Sequence, residues 1–100
     1  MEKADLEAIV QVVKEHDLFV ISDEIYSELT YVDKHVSIAS FPGMNERTVL
    51  INGFSKAYAM TGWRLGYACA PETILKQMLK IHQLQSCVRR PRASMRLSRL

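Results

Sequence analysis

Residues 52–67 read NGFSKAYAMTGWRLGY, and this stretch is the most informative part of the chain for its fold and function. It follows the apolar run TVLI of residues 48–51, which is typical of a strand buried in a parallel sheet. A lysine that comes after such a strand, at the start of a turn rich in glycine and aromatic residues, is placed to meet a small molecule at the sheet edge. Lys56 is that lysine, and Arg64 later in the same stretch suits a phosphate group.

Apolar periodicity predicts an α/β fold around this stretch. Runs at 18–21, 48–51 and, more weakly, 65–70 predict strands, and residues 28–46 are expected to be rich in loops. A first helix is predicted by apolar residues at helical spacing, which are Leu6, Ile9, Val10 and Val13. A second helix is predicted after Pro71, with one face formed by Ile74, Leu75, Met78, Leu79 and His82. Helices and strands alternate, as in α/β proteins.

Asp23 and Tyr26 follow the strand predicted at 18–21. Ligands of open α/β sheets lie beyond the carboxyl ends of parallel strands, so we expect Asp23 and Lys56 to share one edge of the sheet. Taken singly, each of these residues is more often a surface, capping or packing residue. Together with Arg64 they supply an amine, a carboxylate, a phenol and a guanidinium, which are the groups that pyridoxal 5′-phosphate (PLP) requires.

The segments VISDEIY (20–26) and 52–67 resemble the two cofactor motifs of class I/II (fold-type I) PLP-dependent aminotransferases. The resemblance extends from about residue 5 to residue 87. It implies part of the large PLP-binding domain, with a mostly parallel sheet flanked by helices, in an incomplete form. The run MTGWR of residues 60–64 is most similar to the prokaryotic aspartate and aromatic aminotransferase branch.

The resemblance also implies a role for each site residue. Lys56 is implied as the catalytic lysine that forms an imine with PLP, and Asp23 as the partner of the ring nitrogen. Tyr26 is implied as the partner of the ring oxygen, and Arg64 as a phosphate ligand. Ser55 is a further candidate phosphate ligand.

One position departs from the pattern of the family. Many members carry a phosphate-binding serine three residues before the lysine, where this chain has Gly53, as some members of the branch also do.

The implied function is transfer of an amino group from an amino acid to a 2-oxo acid in a biosynthetic process, by an enzyme that is a homodimer in its complete form. A lyase or a cyclopropane-forming synthase of the same fold is an alternative, which the MTGWR run disfavours. Family members are several times longer than this chain. A catalytically inactive fragment from a frameshifted or partial gene is therefore the second alternative.

Residues 88–100 differ in composition from the rest of the chain. They contain five of the seven arginines and no acidic residue, whereas residues 1–87 have eight basic and eleven acidic residues, a net charge of −3. One permitted codon choice for this tail, read in another frame, gives APTTSQYAAVEA, which continues the pattern of the family. We therefore expect a partial transferase domain over 1–87 and an out-of-frame, disordered tail over 88–100. A nucleic-acid-binding arm is disfavoured because the tail lacks aromatic residues for base stacking.

The composition makes several other classes of protein improbable. No apolar run reaches membrane-spanning length and no signal-peptide pattern is present, so we expect a cytoplasmic protein without a membrane partner. Cys69 and Cys87 are too few for a disulfide framework and are predicted to be reduced. His16, His35 and His82 show no ligand spacing with either cysteine, and we predict no metal site.

Overall fold

The computed structural model describes residues 1–88 and 95–99. Its helices and strands are α1 (Lys3–Glu15), β1 (Val20–Asp23), β2 (Thr48–Gly53), β3 (Gly66–Ala70), α2 (Glu72–Val88) and β4 (Met95–Arg99). Two short 3-10 turns, Ile38–Ser40 and Thr61–Trp63, lie in the connections before β2 and before β3. The alternation of helices and strands confirms the predicted α/β class.

The strands form one sheet in the order β1-β2-β3-β4. β1 is parallel to β2 and β3 is parallel to β4, whereas β2 and β3 are antiparallel. Parallel neighbours need a crossover, usually a helix, to carry the chain back to the start of the next strand. The connection 54–65 contains only a 3-10 turn and returns directly, so β3 runs opposite to β2. The sheet is mostly parallel, as expected, with this one antiparallel pair.

Helix α1 packs its apolar stripe beneath β1, as its periodicity predicts, except that Ile9 is 38% exposed. The helix starts at a reciprocal cap in which the backbone N–H of Glu2 donates to the Asp5 carboxylate at 3.0 Å. The buried cluster contains Leu6, Val10, Val13, Ile38 and Met44, with Val20 of β1 packed against it. Burial of an aliphatic side chain of this size contributes about 1.5–3 kcal/mol, so this cluster holds the helix on the sheet.

Helix α2 covers the other part of the sheet. It begins directly after Pro71, and its predicted face contacts a second buried cluster. That cluster consists of Val49, Ala68 and Ala70, with Ile51, Ile74, Leu75 and Met78 packed against it. Leu79, expected on the same face, is 39% exposed, which places it at the edge of the contact.

Strand β1 is not covered on both faces, unlike most strands of parallel sheets. It begins at Val20 rather than at residue 18, and the apolar side chains of Phe19 and Ile21 are 70% and 73% exposed. Successive residues of a strand point to opposite faces. Val20 points to the cluster under α1, so Ile21 faces solvent on the other side.

Part of the tail over 88–100, which was expected to be disordered, forms strand β4. β4 aligns with β3 from the pair Gly66 and Met95 to the pair Ala70 and Arg99. Residues 89–94 and 100 lie outside the described residues. Strand pairing carries no information on the reading frame, so the out-of-frame origin of residues 88–100 stays a prediction, for which the coding DNA is the test.

Two features are absent from the part of the chain that the structure describes. Neither of its helices has the length and apolar character needed to cross a membrane. Among the same residues, no cluster of three or more His, Cys, Asp or Glu side chains is arranged to hold a metal ion.

Candidate functional site

The ends of β1 and β2 bring two of the predicted site residues to one edge of the sheet. The strands are parallel, and Asp23, the last residue of β1, is aligned with Ile51 of β2. β2 ends at Gly53, and Lys56 follows in the connection to β3. Because parallel strands end at the same edge, Asp23 and Lys56 both lie there.

The connection 54–65 returns to the edge from which it starts. Gly53 and Gly66 are partners across β2 and β3, so the connection is closed at its base. Lys56 lies near its beginning and Arg64 near its end. The antiparallel direction of β3, which the sequence did not predict, is therefore what brings Arg64 back to the edge that carries Lys56.

Lys56 and Tyr26 are neighbours across this edge. Lys56 Nζ lies 5.6 Å from the centroid of the Tyr26 ring, which is within the range of a cation–π interaction. Tyr26 comes from the turn after β1, where Asp23 Oδ1 accepts a hydrogen bond from the N–H of Ile25 at 3.2 Å. Tyr26 is 60% exposed and Asp23 and Lys56 are exposed, so all three groups are accessible to a ligand.

Arg64 and Ala59 hold the connection in two left-handed backbone conformations, with φ of 52° and 53°. This conformation costs a residue other than glycine about 1–2 kcal/mol, and such strain is concentrated at functional sites. Arg64 Nη1 donates to the Thr61 carbonyl at 3.1 Å. The exposed guanidinium has further N–H donors with which to bind an anion. Ser55 is half-buried next to Lys56 in the chain, and its role as a phosphate ligand stays a prediction.

The aromatic residues of this stretch pack against one another. The Phe54 ring lies 5.6 Å from the Tyr58 ring and 5.9 Å from the Tyr67 ring, the latter edge-to-face. Burial raises the pKa of the Tyr67 phenol above its usual range, and the nearby Cys69 adds to the effect. Tyr67 therefore stays protonated at neutral pH and acts as a packing residue.

Gly53 lies where the end of β2 comes very close to the start of β3. A Cβ atom at this position would lie 3.0 Å from the Leu65 carbonyl oxygen and 3.2 Å from Gly66 Cα. Both are backbone atoms, which cannot move aside without disturbing the β2–β3 pair. Glycine permits the close approach that closes the connection 54–65 at its base.

Sequence reasoning missed two residues that organise the site. Asn52 Nδ2 donates to Ser27 Oγ at 3.1 Å, which links the end of β2 to the turn after β1. Glu24 is buried, although it stands between the exposed candidates Asp23 and Tyr26. No local pattern indicates either role, because both depend on partners that are distant along the chain.

The groups at this edge fit PLP by their chemistry. An amine can bond to the aldehyde, a carboxylate can pair with a ring nitrogen, and a phenol can donate to a ring oxygen. A guanidinium binds phosphate oxygens with paired hydrogen bonds. The four groups come from two short segments whose bases are fixed by the ladders of β1, β2 and β3.

Nearly the whole chain matches a single protein family. The family model described as aminotransferase class I and II matches residues 1–95. An aspartate aminotransferase of Musicola paradisiaca is 55% identical over 84 residues, which are 83% of this chain and 21% of that enzyme. An aspartate aminotransferase of Pyrococcus abyssi is 57% identical over 81 residues, which are 80% of this chain and again 21% of that enzyme.

Comparison with solved structures also finds aminotransferases. The aromatic aminotransferase from Pyrococcus horikoshii has a TM-score of 0.82 and 52% sequence identity, over 86% of this chain and 23% of that chain. The chain thus spans about a fifth of the length of the curated relatives it matches.

Proposed function

Because the chain belongs to the class I and II aminotransferases, we propose that it is the segment of a PLP-dependent enzyme that carries the cofactor lysine. The enzyme transfers an amino group from an amino acid to a 2-oxo acid. The observation that carries the proposal is the position of Lys56, with Nζ 5.6 Å from the Tyr26 ring, at the edge where Asp23 ends β1. This is the edge at which ligands of open α/β sheets bind.

Bound PLP supplies an aldehyde and an electron-withdrawing ring, and the residues of this chain hold and tune it. Lys56 provides the amine that bonds to the cofactor and, when released, carries a proton to and from the substrate. Asp23 provides the negative charge that keeps the ring nitrogen protonated. A carboxylate beside a cationic nitrogen favours the protonated form.

The other candidates bind and orient the cofactor. Tyr26 donates its phenol hydrogen to the ring oxygen. Arg64 binds the phosphate, and Ser55 adds a hydroxyl donor. The planar guanidinium offers paired N–H groups, a geometry that a lysine at position 64 could not reproduce.

The remaining proposals concern the whole enzyme. We propose amino acid and 2-oxo acid substrates, a homodimer and a cytoplasmic location. Aspartate and aromatic aminotransferases are among the proteins similar to this chain, and either substrate class is compatible with Asp23, Tyr26, Lys56 and Arg64, since these residues act on the cofactor. An inactive fragment of such an enzyme stays the second candidate function.

The test uses a complete enzyme. Residues 1–87 replace the matching segment of the Pyrococcus abyssi aspartate aminotransferase, and the product is called the hybrid enzyme below. We expect the hybrid enzyme to hold PLP that borohydride fixes covalently on Lys56, as located by peptide mass spectrometry. Lys56→Ala should abolish both this adduct and transamination, whereas Lys34→Ala, at an exposed lysine, should change neither. An adduct that persists in the Lys56→Ala enzyme would disprove the assignment.

A further inference from the structure

Glu24 is a buried carboxylate with three side-chain donors. It is 7% exposed, and among the described residues it is the one buried side chain of an acidic residue. Glu24 Oε1 accepts hydrogen bonds from Ser37 Oγ at 2.7 Å and from Ser22 Oγ at 3.1 Å. Glu24 Oε2 lies 2.8 Å from His35 Nε2. Burial of a carboxylate is costly unless hydrogen bonds replace its hydration, and these contacts do so.

One of the donors, Ser37, connects Glu24 to the core beneath α1. Ser37 Oγ also accepts from the N–H of Ala39 at 3.2 Å and so caps the 3-10 turn Ile38–Ser40. Ile38, the first residue of that turn, is buried with the apolar stripe of α1. The Glu24 side chain is therefore fixed to a segment that is anchored by the core.

The backbone of Glu24 is fixed as well. Its N–H donates to the Ile51 carbonyl at 2.8 Å, which extends the β1–β2 ladder by one bond. Its carbonyl accepts from the N–H of Ser27 at 2.9 Å, which closes the turn after β1. Asp23 and Tyr26 are on either side of Glu24 in this turn, and both side chains are exposed. Glu24 is thus the point at which the turn that presents them is attached to the rest of the molecule.

We propose that Glu24 is a positioning residue for the cofactor. Its carboxylate, held by Ser22, His35 and Ser37, fixes the turn that presents Asp23 and Tyr26 opposite Lys56. The inference rests on the proposed function. It differs from a purely structural role because it requires that loss of the Glu24 contacts alters the bound cofactor, not only the stability of the fold.

The test compares Glu24→Gln with Glu28→Gln, a change at an exposed glutamate of the same segment, in the hybrid enzyme. Glu24→Gln should raise the dissociation constant of PLP about tenfold, as is typical when a partner that orients a ligating side chain is removed. It should also shift the pH at which the visible absorbance of the lysine-bound cofactor changes, because Asp23 and Tyr26 set that pH. Hydrogen exchange at the Ser27 amide of the cofactor-free protein should become faster. Glu28→Gln should leave all three measurements unchanged.

Two further variants keep the inference testable if Glu24→Gln does not fold. Ser37→Ala and His35→Gln each remove one partner of the carboxylate and should change the cofactor measurements in the same direction, by less. Folded variants that lose thermal stability but retain the PLP affinity and the absorbance profile of the hybrid enzyme would overturn the inference. Failure of the unsubstituted hybrid enzyme to bind PLP at Lys56 would instead count against the proposed function.

Discussion

Gly53 belongs both to the sheet and to the base of the connection that forms the candidate site. It ends β2, pairs with Gly66 and closes the connection that carries Lys56 and Arg64. A side chain here would contact backbone atoms of the neighbouring strand at 3.0–3.2 Å. A small residue is therefore required at position 53 for the geometry of the site as well as for packing.

We predict that Gly53→Ala destabilises the hybrid enzyme by about 1–3 kcal/mol, the usual cost of forcing extra volume into a packed position. The matched control is Gly62→Ala, because an added Cβ at Gly62 meets nothing within 4 Å. Urea unfolding of the two variants checks the prediction. Equal stability of Gly53→Ala and Gly62→Ala would show that the β2–β3 pair adjusts without cost.

Helix α1 acts at the scale of an element, since it fixes the segment to which Glu24 is attached. The inward stripe of α1 buries Ile38 and Met44, and Ile38 begins the 3-10 turn that Ser37 caps. None of the residues of α1 is a candidate ligand of the cofactor. Substitutions in its buried stripe should therefore act first on stability.

We predict that Val10→Ala destabilises the hybrid enzyme by about 2 kcal/mol, from the lost burial of two methyl groups and the cavity left behind. Val10 is 7% exposed, whereas Val12 on the same helix is 50% exposed, so Val12→Ala is the control. Thermal unfolding of both variants measures the difference. A Val12→Ala enzyme as unstable as the Val10→Ala enzyme would contradict the assignment of the buried face.

The whole molecule is thin for its length. Its extents are 43 × 33 × 16 Å and its radius of gyration is 15.0 Å, against about 13 Å for a compact domain of this length. Large apolar side chains remain exposed at the start of β1 and on α2, among them Phe19, Ile21, Ile81 and Leu84. Such surfaces are typical of a piece of a larger core.

We predict that the isolated chain has little net stability and no transaminase activity. Each ordered residue costs about 1–2 kcal/mol of conformational entropy, and a fold that leaves these large apolar side chains exposed recovers too little of it. Circular dichroism melting with and without PLP should give no cooperative transition, whereas the hybrid enzyme should melt cooperatively. A cooperative melt together with amino-group transfer by the isolated chain would refute the prediction and exclude the inactive-fragment alternative.

The two helices, the strands β1 to β3 and the edge on which the candidate site lies could be predicted from the amino-acid sequence alone. Periodicity is a local property, so the buried faces of both helices could be read from it, as could the three strands up to β3. The positions of Asp23 and Lys56 after two parallel strands follow from the chain order alone. The family resemblance rested on these same local motifs.

How these parts contact one another could not be predicted from the sequence and is seen only in the tertiary structure. The antiparallel direction of β3, the close approach at Gly53 and the exposure of Ile21 depend on which strands become neighbours and on what covers each face. Glu24 is buried because Ser37, thirteen residues further along the chain, folds back onto it. Such contacts join residues that are distant along the chain. They contribute to stability only in the folded state, so no local sequence pattern indicates them.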